Sequence, residues 1–197
     1  VATRKSTQTR LLDAADELLF TDGVLATPVD AVLARAGVSP ATLYRAYGSK
    51  DGLVAAALER RQRDWLAVWD RLADAADDDR SRLLSVFDAL DHFRDRPHLA
   101  RWCAFLGTAA EYAHAPPVVA AAIRQDTDAM RERLSAFAGP LAGARAAALA
   151  EQLLLIVSGD LAMRLRATTL TDSRAARSVA AAVIAAFEQD GVDSTPG

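Results

Sequence analysis

Two short helix signals, separated by a single glycine turn, constrain the fold of this chain more than anything else in it. Thr27-Pro28-Val29-Asp30 offers a capping hydroxyl, a proline at the first helical position and an acid in the first turn. The helix it starts runs from Pro28 to Ala36, with Val29, Val32, Leu33 and Ala36 gathered on one side at about 100° per residue. Gly37-Val38 breaks it. Ser39-Pro40 repeats the cap-and-proline pair, and a second short helix runs to about Tyr47, before Gly48-Ser49-Lys50. Helices of about eight residues joined by so tight a turn form a helix-turn-helix. Gly37 lets the chain reverse, Val38 plugs the angle, and Ser39 caps a helix whose first amides then point toward phosphates.

On that second helix Leu43, Ala46 and Tyr47 are expected to face inward. Ala41, Thr42, Tyr44 and Arg45 spread over the opposite side, free to enter a major groove. Arg45 can donate to guanine or phosphate, and Thr42 to phosphate or a base edge. Ala41 permits close approach or a thymine-methyl contact, and Tyr44 offers a phenol to a phosphate. Lys50 can reach the DNA backbone, and Arg4 and Lys5 lie on an arm able to track an adjacent groove. The same spacing also describes an αα-hairpin inside a helical core, and Tyr47 is read as a core aromatic.

The rest of the chain reads as helix throughout. Ala and Leu are abundant, β-branched residues do not alternate, and the few Gly and Pro fall between periodic segments. A first helix spans about 6–20, a connecting helix about 50–75, and further helices about 80–94, 98–112, 117–137, 144–168 and 173–189. Pro97, Pro116-Pro117, Gly139-Pro140 with Gly143, and Thr171-Asp172 mark the breaks. The fold class is therefore all-α, with about nine helices.

Charge is uneven. Residues 1–63 carry nine Lys/Arg against seven Asp/Glu, and the remainder carries fourteen against nineteen, which together make the net −3. A mildly basic front on an acidic body fits a DNA-reading head. One cysteine, Cys103, excludes an intramolecular disulfide framework, and His92, His98 and His114 share no metal-binding spacing. No phosphate loop, nucleophile elbow or zinc-type motif occurs, so neither a cofactor nor an enzyme is expected. The first residues, with Arg4, Lys5 and Arg10, do not read as a signal peptide. The apolar run Leu153–Val157 is far shorter than the ~20 residues of a membrane span, so a cytoplasmic, nucleoid-associated protein is expected.

The stretch Thr27 to Leu53, TPVDAVLARAGVSPATLYRAYGSKDGL, resembles the DNA-binding signature of the TetR family, as does the upstream Leu19-Phe20-Thr21-Asp22-Gly23. The resemblance covers roughly residues 7–58. It implies an N-terminal three-helix DNA-binding domain over 1–50 and a C-terminal ligand-binding and dimerisation domain over 51–197. Ser39, Ala41, Thr42, Tyr44, Arg45 and Lys50 fall where family members usually contact DNA. Pro40 departs from the usual Lys or Arg, and Arg45-Ala46 from the usual aromatic-or-histidine pair, so no relative's operator can be borrowed.

In the body, Trp65, Trp69, Phe87, Leu90, Trp102, Phe105, Leu106, Tyr112, Met130, Leu134 and Phe137 are large residues able to line a pocket for a small apolar ligand. Aromatics at helical spacing are equally ordinary core. Leu149, Leu153, Ile156 and Val157, with Val179, Val183, Ala186 and Phe187, line faces suited to a four-helix bundle between two subunits. Asp160 is expected to pair with Arg164, one turn on. The expectation is a repressor that binds palindromic double-stranded operator DNA as a homodimer and is released by a small molecule. The alternative is a helical dimeric scaffold or enzyme that keeps a non-functional helix-turn-helix head.

Overall fold

The computed structural model describes residues 6–94, 103–166 and 172–192. Among them the secondary structure is helical throughout, as expected: α1 (Thr7–Asp22), α2 (Val29–Ala36), α3 (Pro40–Tyr47), α4 (Lys50–Asp74), α5 (Asp79–Arg94), α6 (Ala104–Glu111), α7 (Pro117–Ala142), a 3₁₀ turn (Gly143–Arg145), α8 (Ala146–Arg166) and α9 (Arg174–Val192).

Local chemistry explains most boundaries. Ser6 caps α1 by accepting the Thr9 N–H at 3.1 Å. Gly37 ends α2 in the left-handed region, at φ 63°, where its amide reaches back to the α2 carbonyls. Two expectations fail by small amounts. Pro28 is the N-cap of α2 rather than its first helical residue, and Thr27 does not cap the helix. The Thr27 hydroxyl is buried and donates to the Gly23 carbonyl at 2.7 Å, closing the turn after α1. The break expected at Gly139-Pro140 is absent. Pro140 lies inside the last turn of α7, where its missing N–H removes one i→i−4 bond, and the chain turns instead at Gly143, φ 52°.

The described residues form two compact units. The first comprises 6–63 and 103–126, the second 64–94, 127–166 and 172–192. In the first, Leu11, Leu19 and Phe20 of α1 pack with Val32 and Leu33 of α2, Leu43 of α3, Leu53 and Leu58 of α4, and Phe105 of α6. Arg60 ties α4 to α1 through Asp13, at 2.8 Å, and Asp16.

In the second, Trp69 and Phe87 are fully buried among Leu83, Leu134, Leu149, Leu153 and Ile184. Trp65 stacks obliquely on Trp69, with ring centroids 5.6 Å apart, and the Trp69 indole N–H donates to Ser85 Oγ at 3.1 Å. The expected Asp160–Arg164 pair is present at 2.6 Å, and Arg164 also reaches Asp91 of α5 at 3.2 Å. Ser173 completes that network, its amide and hydroxyl both donating to Asp91.

Candidate nucleic-acid interface

One face of α3 is anchored and the rest is presented to solvent. Leu43 is completely buried and Tyr47 packs beside it against the first unit's core. Ala41, Tyr44 and Arg45 are exposed, and Thr42 is half-buried. Tyr44 is 52% exposed, which removes it from the core and leaves its phenol free for a partner. Ala46 is also exposed, contrary to its expected inward position. Leu43 and Tyr47, one turn apart, fill the space beneath this short helix, and a methyl group between them gains nothing by turning in. Ser39 occupies the N-cap position but makes no side-chain bond to the helix amides. Its hydroxyl pairs with Thr42 Oγ1 at 3.0 Å, so the first turn of α3 has no side-chain cap. An uncapped, exposed helix start is what a phosphate oxygen requires.

Behind α3, charged side chains hold the turns. The Arg10 guanidinium donates to the carbonyls of Ala36, at 3.1 Å, and Gly37, at 3.3 Å, bracing the reversal between α2 and α3. The Lys50 ammonium donates to the carbonyls of Val24 and Thr27, both at 2.5 Å. Lys50 thus braces the α1–α2 turn, a role the sequence does not show.

The carboxylate of Glu111, at the end of α6, accepts the amides of Val24, at 3.0 Å, and Leu25, at 2.8 Å. Beside it the Tyr112 hydroxyl donates to Asp51 at 3.0 Å. Burial, then the Asp51 carboxylate, raises that phenol to about 12. Gly52 sits in the first turn of α4 because a Cβ there would lie 2.0 Å from the Tyr47 carbonyl oxygen. Glu111 and Gly52 were not singled out by the sequence reading. An acid at a helix C-terminus, against the dipole, and a glycine inside a helical turn are the signals that mark them.

Residues 11–57 match the model of the bacterial regulatory proteins of the tetR family. The HTH-type transcriptional regulator BetI of Burkholderia mallei is 30% identical over 162 residues, covering 79% of this chain and 80% of that protein. The chain belongs to the TetR family of transcriptional regulators. The fold agrees with solved family members. SCO4454, a TetR-family transcriptional regulator from Streptomyces coelicolor, matches with a TM-score of 0.76 at 23% identity, covering 93% of this chain and 95% of that one. The TetR-family regulator from Cytophaga hutchinsonii matches at 0.79 and 13% identity, over 93% and 98%. The helix-turn-helix of this TetR-family regulator is therefore a DNA-binding element.

The other expected sites are distributed differently. Arg4 and Lys5 of the arm, and Trp102 of the pocket set, lie outside the described residues. Trp65, Trp69, Phe87, Leu90, Met130, Leu134 and Phe137 all belong to the second unit's core. Phe105 and Tyr112 belong to the first, where Leu106 is half-buried on α6. Cys103 is half-buried at the start of α6, and burial pushes its thiol up, which disfavours the reactive thiolate.

The subunit-interface set needs correction. Leu149, Leu153 and Val157 are completely buried in the second unit's own core, and Ile156 is half-buried beside them. Phe187 also turns inward, its ring 5.0 Å from the Arg145 guanidinium, and Val183 packs next to it. Only Val179 and Ala186 of that set stand on an exposed face. The face of α8 left uncovered carries Leu155, 72% exposed, with Ala148, Gln152 and Gly159, while α9 adds Val179, Ala182 and Ala186. Both faces of α8 are apolar, so periodicity alone could not tell which one the chain keeps for itself.

Proposed function

We propose that this TetR-family regulator is a repressor that binds a palindromic operator as a homodimer and is released by a small molecule. The observation that carries the DNA reading is the exposed surface of α3, with Ala41, Thr42, Tyr44 and Arg45 on a helix anchored by Leu43 and Tyr47. One helix of eight residues makes few base contacts, and a two-fold dimer doubles them at half-sites a helical turn, or a multiple, apart. Arg45 carries the base or phosphate contact that fixes register, and Thr42 and Tyr44 contact the backbone beside it.

The dimer reading is supported by the α8–α9 face. Its small residues permit close helix approach, and Leu155 and Val179 are large apolar groups left in water. Within Pro117–Arg166 one 18-residue window is apolar enough to match a membrane span by composition, and 28% of that window is buried. A partner subunit on α8 covers the exposed Leu155 in a cytoplasmic regulator.

Selection of random duplexes by the purified protein at moderate salt, followed by sequencing, tests the reading. Enrichment of a palindrome is expected, and none from folded, dimeric protein refutes it. Arg45→Ala should abolish selection while leaving the dimer folded. Retained operator affinity in that variant removes Arg45 from the interface.

A further inference from the structure

Among the described residues of the first unit, three buried polar side chains each carry an atom with no hydrogen-bond partner. Gln62 on α4, Thr108 on α6 and Asp126 on α7 are 5%, 1% and 6% exposed. Gln62 Nε2, Thr108 Oγ1 and Asp126 Oδ1 have no hydrogen-bond partner. Each stands one helical turn beyond a member of the same apolar cluster: Leu58 before Gln62, Ala104 before Thr108, and Ala122 before Asp126. Cys103, at the start of α6, feels both the Asp126 carboxylate and the Arg61 guanidinium, so α6 starts close to Asp126 on α7 and to Arg61, the neighbour of Gln62, on α4.

Among the described residues no side chain of the unit bonds to these three atoms. Arg61, next to Gln62, is engaged elsewhere, 5.8 Å from the centre of the Phe20 ring and 3.6 Å from Asp16. Burial raises the Asp126 carboxyl to about 7. Unmade bonds on buried groups destabilise a fold, and an apolar residue at any of these positions would avoid the penalty. Three such groups on one cluster are the signature of a place where another molecule supplies the partners.

The chemistry of the three atoms defines that molecule. Asp126 Oδ1 needs a donor, and an ionised carboxylate in this setting needs a positive one. Gln62 Nε2 needs an acceptor, and Thr108 can serve either. We propose that the first unit binds a small protonated amine that also carries an oxygen acceptor, with Asp126 receiving the ammonium, Gln62 donating to the oxygen and Thr108 bonding to either. A purely apolar ligand, the class expected from the aromatic residues, would leave all three groups bare. The identity of this molecule as the releasing effector rests on the regulator reading above; its binding does not.

Calorimetry on the full-length protein tests the site with 2-aminoethanol and 4-(aminomethyl)phenol hydrochlorides at matched ionic strength. Their neutral isosteres, ethylene glycol and 4-(hydroxymethyl)phenol, serve as controls. At least one amine should bind the wild type, its isostere should not, and Asp126→Asn should weaken binding by about tenfold or more. Thr108→Val, which keeps the volume, should weaken it about threefold to tenfold and decides the matter if Asp126→Asn does not fold. Equal binding to wild type and both variants, or none by either amine up to about 10 mM, overturns the proposal. Operator affinity measured with the bound amine separates the two readings. Binding that leaves DNA affinity unchanged keeps the site and removes its regulatory role.

Discussion

Replacing Asp126 with asparagine removes an ionisable group and keeps its shape. The carboxyl ionises near 3.9 in an unfolded chain and at about 7 here, raised by burial. Between those values the folded protein holds more protons than the unfolded one. Stability therefore falls as pH rises through this window, and levels off above about pH 8. A shift of about three units corresponds to about 4 kcal/mol, of which about 2.5 kcal/mol is lost between pH 5 and pH 8. Asparagine does not titrate. Relative to wild type, Asp126→Asn should therefore gain about 2.5 kcal/mol over the same interval.

Comparing the two pH values cancels the cost of the bare amide, which is the same at both. Urea unfolding at one protomer concentration, in acetate and phosphate buffers free of amines, measures the difference. If the two proteins give parallel stability profiles, within about 0.5 kcal/mol, the carboxyl is not in the environment described and the reasoning fails.

Three further outcomes are expected. Glu111→Gln exchanges a charged acceptor of two amides for a neutral one, at a cost of about 1 kcal/mol, and hydrogen exchange at Val24 and Leu25 should accelerate. Gly52→Ala places a methyl 2.0 Å from the Tyr47 carbonyl oxygen, and the forced shift should cost about 2 kcal/mol despite alanine's better helix propensity. A thermal melt that rises would contradict the close approach. Leu155→Glu puts a charge on the exposed face of α8 and should yield a folded monomer by sedimentation; an intact dimer would place the interface elsewhere.

What the sequence made legible is what neighbouring residues decide. The reversal at Gly37 and the two short helices follow from turn and cap chemistry within a few positions, and the Asp160–Arg164 pair follows from helical spacing. The rest has tertiary causes. The bracing role of Lys50 is invisible in sequence because its partners, the Val24 and Thr27 carbonyls, lie more than twenty residues upstream. Helical period alone turns Ala46 inward, although Leu43 and Tyr47 already fill the space. The apolar face of Leu149, Leu153 and Val157 suits a subunit interface by pattern, but their own chain covers them. Gln62, Thr108 and Asp126 are unremarkable on separate helices, and become a candidate site only when burial without partners is seen for all three.

The same short helix joins the proposed site to the reading head. Thr108 and Glu111 lie three residues apart on α6, which is only eight residues long. Glu111 holds the amides of Val24 and Leu25, and the Val24 carbonyl receives Lys50, the first residue of α4. An occupant that draws Thr108 toward Asp126 therefore pulls on the helix that fixes the α1–α2 turn, and that turn sets where α2 begins. A shift of this kind lowers DNA affinity only if the amine binds the displaced arrangement more tightly than the DNA-bound one. The bare carboxylate gives a physical source for that preference: an arrangement that brings Asp126, Thr108 and Gln62 onto one ligand relieves three unmade bonds at once. All the groups involved lie within the first unit, so the route from amine to α3 needs no contact outside it.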